Sequence, residues 1–333
     1  MNESPKTLLK QYWGHDGFRG SQEEIIGAAV HGADVMALLP TGGGKSLCYQ
    51  IPGVLLPGLC VVVSPLIALM EDQVSDLNSR GIRAMSLSGK LNREDLLRKL
   101  DNVEYGRYNF LYISPERLQQ ELVIERIKNL DINLIAIDEA HCISQWGFDF
   151  RPAYLKCSVF RDLLPQTPMM ALTATATPEV MKDIEELLHL RDPKIFRDSI
   201  ERTNITYSVL ETEDKNYRLT RLLHQHPGSA IVYVHTRRAT VLLAKYLNGK
   251  GIAAEAFHGG MSAGDKQTRL QQWQRGRIRV MTATNAFGMG IDKADVRLVV
   301  HFEVPETLEH YFPGSRSSRQ GWKTCPCGPP AGT

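Results

Sequence analysis

The stretch LLPTGGGKSLCYQIP, residues 38–52, decides how the rest of the chain is read. An apolar run ends at Pro40, Gly42, Gly43 and Gly44 follow Thr41, and Lys45 and Ser46 open a segment of helical character. Glycines let successive backbone N–H groups turn onto a phosphate, and a helix N-terminus adds partial positive charge there. In such a loop Thr41, Gly42, Gly43 and Gly44 form the cradle, Lys45 reaches the β- and γ-phosphates, and the Ser46 hydroxyl ligates Mg²⁺. The generic spacing asks for a glycine where Leu39 stands. An ordinary glycine-rich turn is the alternative, and the strand–loop–helix context favours a nucleotide site.

Outward from this loop, apolar runs recur at VMALLP (35–40), LCVVVS (59–64), NFLYIS (109–114), NLIAID (133–138) and MMALTA (169–174). Separated by segments of helical character, they predict buried strands of a parallel sheet covered on both faces. Ligands of such sheets sit at the carboxyl ends of the strands, which is where the glycine loop lies. The pattern restarts after residues 198–204 with SAIVYV (229–234), a helical stretch 238–249, IAAEAFH (252–258), a helix over about 262–275, IRVMTAT (278–284) and LVVHFE (298–303). The expectation is an α/β fold of two domains, 1–205 and 206–312, with mainly parallel sheets. Residues 313–333, PGSRSSRQGWKTCPCGPPAGT, lack apolar periodicity and are dense in Pro, Gly and Ser, which predicts a disordered tail and an incomplete second domain.

Composition sets the outer limits. With 333 residues, 43% hydrophobic and 23% charged, the chain is neither disordered, collagen-like nor a disulfide miniprotein. The apolar stretch 58–69 is broken by Ser64 and Pro65, too short for a transmembrane span, and MNESPKTLLKQYWG lacks the features of a signal peptide. A cytoplasmic protein follows as the default. Cys48, Cys60, Cys142 and Cys157 read as buried thiols, and Cys325 with Cys327 has no second pair, so no zinc site is expected. Residues 1–205 carry 22 Lys+Arg against 27 Asp+Glu, and residues 206–312 carry 14 against 10. Charge alone therefore does not point to nucleic acid.

Asp138-Glu139-Ala140-His141 directly follows the run NLIAI. A carboxylate at a strand end can hold Mg²⁺, and its neighbour can orient or deprotonate an attacking water. Asp138 suits the first role and Glu139 the second. Alone, Asp-Glu after a strand is often a solvated helix start; with the glycine loop it reads as the acidic motif of an NTPase.

Further motifs complete a set: Phe18-Arg19-x-x-Gln22 after Trp13-Gly14-His15, Ser64-Pro65-Leu66, Thr173-Ala174-Thr175-Ala176, and Ala283-Thr284-Asn285-Ala286-Phe287-Gly288-Met289-Gly290-Ile291-Asp292. Their order resembles the superfamily-2 helicases, in which two RecA-like domains (P-loop NTPase units) clasp ATP. DEAHCISQWGFDFRPAY (138–154), FRGSQEEII and AFGMGIDKADVRLVVH resemble the RecQ family of DNA helicases in particular, over about residues 8–312.

That resemblance implies roles. Arg19 and Gln22 would recognise adenine with His15 stacked on it, and Lys45, Asp138, Glu139 and His141 would serve the hydrolytic site. Trp146, Phe148, Phe150 and Arg151 would couple single-stranded DNA to that site, and Thr173 and Thr175 would link hydrolysis to movement. Stacking has an independent logic, since each base–aromatic contact contributes about 1–3 kcal/mol whatever the base. Gly290 and Asp292 would face the γ-phosphate from the second domain, and Arg237 would meet the DNA backbone. For Arg237, Arg238, Arg275, Arg277 and Arg279 a solvated basic face is the alternative. ATP and Mg²⁺ are the implied cofactors. Single-stranded and partially duplex DNA are the implied partners, with no membrane and a nucleoid-associated cytoplasmic location. The implied activity is 3′→5′ unwinding in DNA repair and recombination. The alternatives are a non-catalytic ATP- and DNA-binding remnant and a superfamily-2 RNA helicase, which the aromatic loop disfavours.

After His310-Tyr311-Phe312 the family pattern continues with Gln, two variable residues and Gly-Arg-x-Gly-Arg, whose arginines stabilise the transferred phosphoryl. This sequence instead reads Pro313-Gly314-Ser315-Arg316-Ser317-Ser318-Arg319-Gln320-Gly321-Trp322-Lys323. With suitable codons, deleting one C converts it to Gln-Glu-Ala-Gly-Arg-Ala-Gly-Lys-Asp-Gly, so the tail reads as a frameshift and little activity is expected. A coding sequence incompatible with that shift would refute this reading.

Overall fold

The structure, a computed structural model, describes residues 4–40, 43–89, 91–147, 149–174, 176–199, 205–284, 287, 293, 295–303 and 323–326. It divides into two units, Met1–Ile200 and Glu201–Thr333.

In the first unit, the apolar runs become strands β1 (Val35–Leu38), β2 (Leu59–Val63), β4 (Phe110–Ile113), β5 (Ile132–Asp138) and β6 (Met169–Thr173), joined by β3 (Ala84–Leu87) and β7 (Lys194–Arg197). The order is β3-β4-β2-β5-β6-β1-β7, and every ladder is parallel. An uninterrupted apolar strand such as LCVVV needs cover on both faces, and it has it. Val61 and Val63 enter one core layer with Ile135 and Ile137, while Cys60 and Val62 enter the other with Leu134 and Ala136. Burying each such aliphatic side chain stabilises by about 1.5–3 kcal/mol. The helix Lys45–Leu55 follows the glycine loop, and Thr177 caps the helix Pro178–Leu187. The glycine loop, the Ser64-Pro65-Leu66 loop, the acidic motif and the Thr173 loop leave the carboxyl ends of β1, β2, β5 and β6, whereas the motif 18–22 precedes β1.

The second unit holds β8 (Thr206–Tyr207), β9 (Ser229–Tyr233), β10 (Ala254–Phe257), β11 (Val280–Ala283), β12 (Val296–His301) and β13 (Lys323–Pro326), in the order β10-β11-β9-β12-β13-β8. The helices Arg237–Gly249 and Ala263–Gln274 lie where expected, capped by Thr236 and Ser262. The helix Lys215–Gln225, capped by Asp214, was not anticipated by the pattern. One expectation needs correcting: residues 323–326 of the supposedly structureless tail form β13, parallel to both β12 and β8. Strand pairing is made by backbone N–H and C=O groups, so it can recruit a segment with no apolar period.

The two units follow one plan. The strand order β3-β4-β2-β5-β6-β1 of the first is matched by β10-β11-β9-β12-β13-β8 of the second. LNSRGIRAMSLSG (77–89) and LNGKGIAAEAFHG (247–259) build the same joint into the edge strand. Asn78 donates to Ala84 O at 3.0 Å and accepts from Ala84 N at 3.1 Å; Asn248 treats Ala254 likewise at 2.8 and 3.0 Å. Gly81 (φ 81°) and Gly251 (φ 75°) make the left-handed turn between them. Among the described residues no helix is long and apolar enough to cross a membrane.

Candidate active site

The site is built where β5 ends. Asp138 is its last residue and is 8% exposed. Glu139 then takes φ 49°, ψ 46°, a left-handed conformation that costs a side-chain-bearing residue about 1–2 kcal/mol. Neighbouring contacts hold it there. Glu139 N donates to Asp138 Oδ1 at 3.0 Å, Cys142 N donates to Glu139 O at 2.9 Å, and the buried Tyr154 hydroxyl donates to Asp138 O at 2.8 Å. Burial pushes the Tyr154 phenol well above its usual range, so it stays a neutral donor.

This kinked backbone brings Glu139 between two loops. Glu139 Oε1 lies 3.4 Å from Lys45 Nζ, and both side chains are only 12% exposed. Glu139 Oε2 lies 3.4 Å from His141 Nδ1, and that nitrogen also sits 2.8 Å from Thr173 Oγ1 at the end of β6. Four predicted residues from three strand ends therefore meet in one buried chain: Lys45, Glu139, His141 and Thr173. A carboxylate so placed can accept a proton or orient water, while Lys45 offers positive charge to an anion. Ser46, half-buried, stands in the first turn of the helix behind Lys45.

The glycine loop is braced from the other side. Gly44 is left-handed (φ 76°), and a Cβ there would come within 2.4 Å of Gln22 Nε2. Gln22, 2% exposed, donates from Nε2 to Gly43 O at 2.9 Å and Gly44 O at 3.1 Å, while its Oε1 accepts from Arg19 N at 2.9 Å. Its visible contact is thus with the loop backbone, a role that motif reading did not anticipate. His15 and Arg19 are exposed. Thr41, Gly42, Phe148, Thr175, Gly290 and Asp292 lie outside the described residues.

The aromatic loop leaves directly from the acidic motif. Trp146 is 78% exposed, and Phe150 is half-buried. Arg151 donates from Nη1 to Pro65 O at 3.0 Å and from Nη2 to Asp149 Oδ2 at 3.0 Å, so it ties this loop to the Ser64-Pro65-Leu66 loop after β2. Ser144 Oγ donates to Asp183 Oδ2 at 2.5 Å, anchoring the loop's start. Burial, then the charges of Asp149 and Glu139, push the Cys142 thiol up, leaving a protonated sulfur 3.8 Å from Asp149 Oδ2.

In the second unit Arg237 is exposed at the start of its helix and lies against Gly260, where a Cβ would come within 2.9 Å of its Nη1. Arg279 is not part of a solvated face. Its guanidinium donates to Leu223 O, to His226 O at 3.2 Å and to Gly228 O at 3.1 Å, an internal brace.

Residues 19–184 match the DEAD/DEAH box helicase model and residues 214–313 the helicase conserved C-terminal domain. A Bacillus subtilis protein named "Probable ATP-dependent DNA helicase RecS" is 44% identical over 327 residues, which cover 96% of this chain and 65% of the relative. The ATP-dependent DNA helicase RecQ of Synechocystis sp. is 39% identical over 93% of this chain and 67% of its own length. Other RecQ relatives are matched over about half their length, as with 51% in Haemophilus influenzae. The fold superposes on the Mycobacterium smegmatis helicase Lhr bound to ssDNA and AMP-PNP, with TM-score 0.78 and 19% identity, over 97% of this chain and 48% of that one. Two RecA-like units, the motif order and identities of this size over nearly the whole chain lead to one assignment: the chain belongs to the RecQ family of superfamily-2 helicases.

Proposed function

We propose that the chain is the motor portion of an ATP-dependent DNA helicase that moves 3′→5′ along single-stranded DNA and unwinds duplex in repair and recombination. The observation that carries this is the chain Lys45–Glu139–His141–Thr173, which ties the glycine loop to the acidic motif and to the end of β6. A nucleotide-sensing pocket needs Lys45 but has no use for Glu139 at that place. The donor set suits a triphosphate with its cation: Gly43 and Gly44, where a Cβ would strike Pro40 O and Gln22 Nε2, Lys45 beside them, and the hard oxygens of Ser46 and Asp138 for Mg²⁺. When bound, Mg²⁺ supplies charge neutralisation at the phosphates.

In this reading Glu139 orients the attacking water and receives its proton. His141 senses that event and passes it to Thr173, and the aromatic loop starting at Ser144 carries it to DNA stacked on Trp146. The DNA substrate places this work at the nucleoid, in the cytoplasm. A second reading, an ATP- and DNA-binding protein with little turnover, is favoured by one observation: residues 313–323 lack the arginine motif of the family.

Binding separates the parts without requiring turnover. Lys45→Ala removes a charge-assisted phosphate contact worth about 1.5–3 kcal/mol, so the Kd for Mg·ATP should rise about 10–150-fold. Affinity for single-stranded DNA should stay within about twofold, since its contacts lie elsewhere. Trp146→Ala should do the reverse, weakening single-stranded DNA about 5–150-fold with nucleotide affinity unchanged. Fluorescence titration of both ligands checks this, with an RNA strand of the same sequence as a further arm. Equal affinity for RNA and DNA would count against a DNA motor, and unchanged ATP binding by Lys45→Ala would refute the nucleotide site.

A further inference from the structure

Asp198 stands one residue beyond β7, the edge strand beside β1. Asp198 N donates to Leu38 O at 3.0 Å, which carries the ladder up to the entrance of the glycine loop. Its carboxylate turns away from the sheet onto residues far off in sequence. Ser21 N donates to Asp198 Oδ1 and Oδ2 at 3.2 and 3.3 Å, and Ser21 Oγ donates to Oδ1 at 2.6 Å. Gly20 is left-handed (φ 48°), and a Cβ on it would fall 2.2 Å from Asp198 Oδ2, so the carboxylate is packed directly on the glycine backbone.

Ser21 is the N-cap residue of the helix Gln22–Val30, yet its side chain makes no capping hydrogen bond to that helix. Ser4, Asn92, Thr177, Asp214, Thr236 and Ser262 each cap their own helix in the usual way. At Ser21 the hydroxyl is spent on Asp198 instead, and an anion is placed at the helix start, where the macrodipole favours it. The next residue is Gln22, which holds Arg19 N on one side and the carbonyls of Gly43 and Gly44 on the other.

We propose that Asp198 is a positioning residue for nucleotide recognition. It fixes Gly20–Ser21, and through them the place of Arg19, which the family resemblance sets toward the base, and of Gln22, whose amide holds Arg19 N and the glycine-loop carbonyls; this rests on the nucleotide reading given above. Base discrimination is then set partly by the last residues of the first unit, at the mouth of the connection to the second. Sequence reading marks 198–204 only as the residues after which the apolar pattern restarts.

The test is titration of the full chain with Mg·ATP and Mg·GTP, comparing Asp198→Ala, Ser21→Ala and Gln22→Ala, singly and combined. Asp198→Ala should weaken ATP about 5–20-fold and GTP less than about twofold, so that the preference between bases shrinks. In the Gln22→Ala background, Asp198→Ala should add no more than about twofold, since the effect passes through Gln22. Thermal unfolding without nucleotide controls for a merely structural brace and should move by no more than about 3 °C. Equal loss for both nucleotides, full additivity with Gln22→Ala, or unchanged ATP binding overturns the assignment to Asp198. A parent chain that binds no ATP would overturn the nucleotide reading itself, and this inference with it.

Discussion

Replacing residues 313–322 with Gln-Glu-Ala-Gly-Arg-Ala-Gly-Lys-Asp-Gly is expected to raise DNA-stimulated ATP turnover about 10³–10⁵-fold, equivalent to about 4–7 kcal/mol of barrier. Phosphoryl transfer gathers charge on the departing γ-phosphoryl, and a guanidinium fixed against it is the largest electrostatic aid the fold can add. Under the proposed function Lys45 and Glu139, 3.4 Å apart, supply the rest of the site, and the arginine is the part the tail would add. Arg316 and Arg319 are present but off register with the family pattern. Phosphate release with saturating single-stranded DNA, from the unaltered chain and from the replaced one, reads the effect. The same insert with its arginine changed to alanine should return the rate to the starting level. Strong stimulation of the unaltered chain would show that another residue fills the role, and the account of residues 313–323 would fail.

The second large effect concerns stability. Asp34→Ala should destabilise the first unit by about 3–5 kcal/mol, because it strips the partner from a buried cation. The Asp34 side chain is fully buried just before β1. It accepts from Arg161 Nη2 at 2.5 Å, from Met169 N at 2.9 Å and from Arg191 N at 2.7 Å. One carboxylate thus joins the amino ends of β1 and β6 to the turn before β7, at the end of the sheet opposite the glycine loop. Asp34→Ala should lower the unfolding midpoint by about 10 °C or more. Below that midpoint the Kd for Mg·ATP should stay within about twofold. A midpoint shift under about 3 °C would show that Arg161, which also donates to Pro165 O, Thr167 O and His189 O, carries the joint alone.

What could be read in advance follows the range of each interaction. β2 and β5 were plain in sequence because strands covered on both faces are apolar without a break. β7, KIFR, lies at the sheet edge, mostly exposed, and carries no such signal. β3, AMSL, is short and mixed. The meeting of Lys45, Glu139, His141 and Thr173 followed from motif order, since each sits at a strand end of one parallel sheet. The left-handed backbone of Glu139 did not, because nothing local in Asp-Glu-Ala-His marks it. Gln22 was assigned to a base, whereas its visible hydrogen bonds go to Arg19 N and the carbonyls of Gly43 and Gly44. Asp34 and Asp198 were invisible for a related reason. A lone carboxylate that binds backbone groups more than a hundred residues away leaves no periodic trace.

The shared plan of the two units has a consequence for how the molecule is fuelled. β1 leads through Pro40 and the glycines to the helix Lys45–Leu55, then to β2; β8 leads to the helix Lys215–Gln225, then to β9. The counterpart of the glycine loop is therefore residues 208–214, Ser-Val-Leu-Glu-Thr-Glu-Asp. Three carboxylates, Glu211, Glu213 and Asp214, stand where the first unit has Gly42, Gly43 and Gly44, and negative charge there disfavours a phosphate. Two copies of one architecture thus differ in this loop: under the nucleotide reading proposed above, one half offers phosphate a turn of glycines and the other a cluster of negative charge.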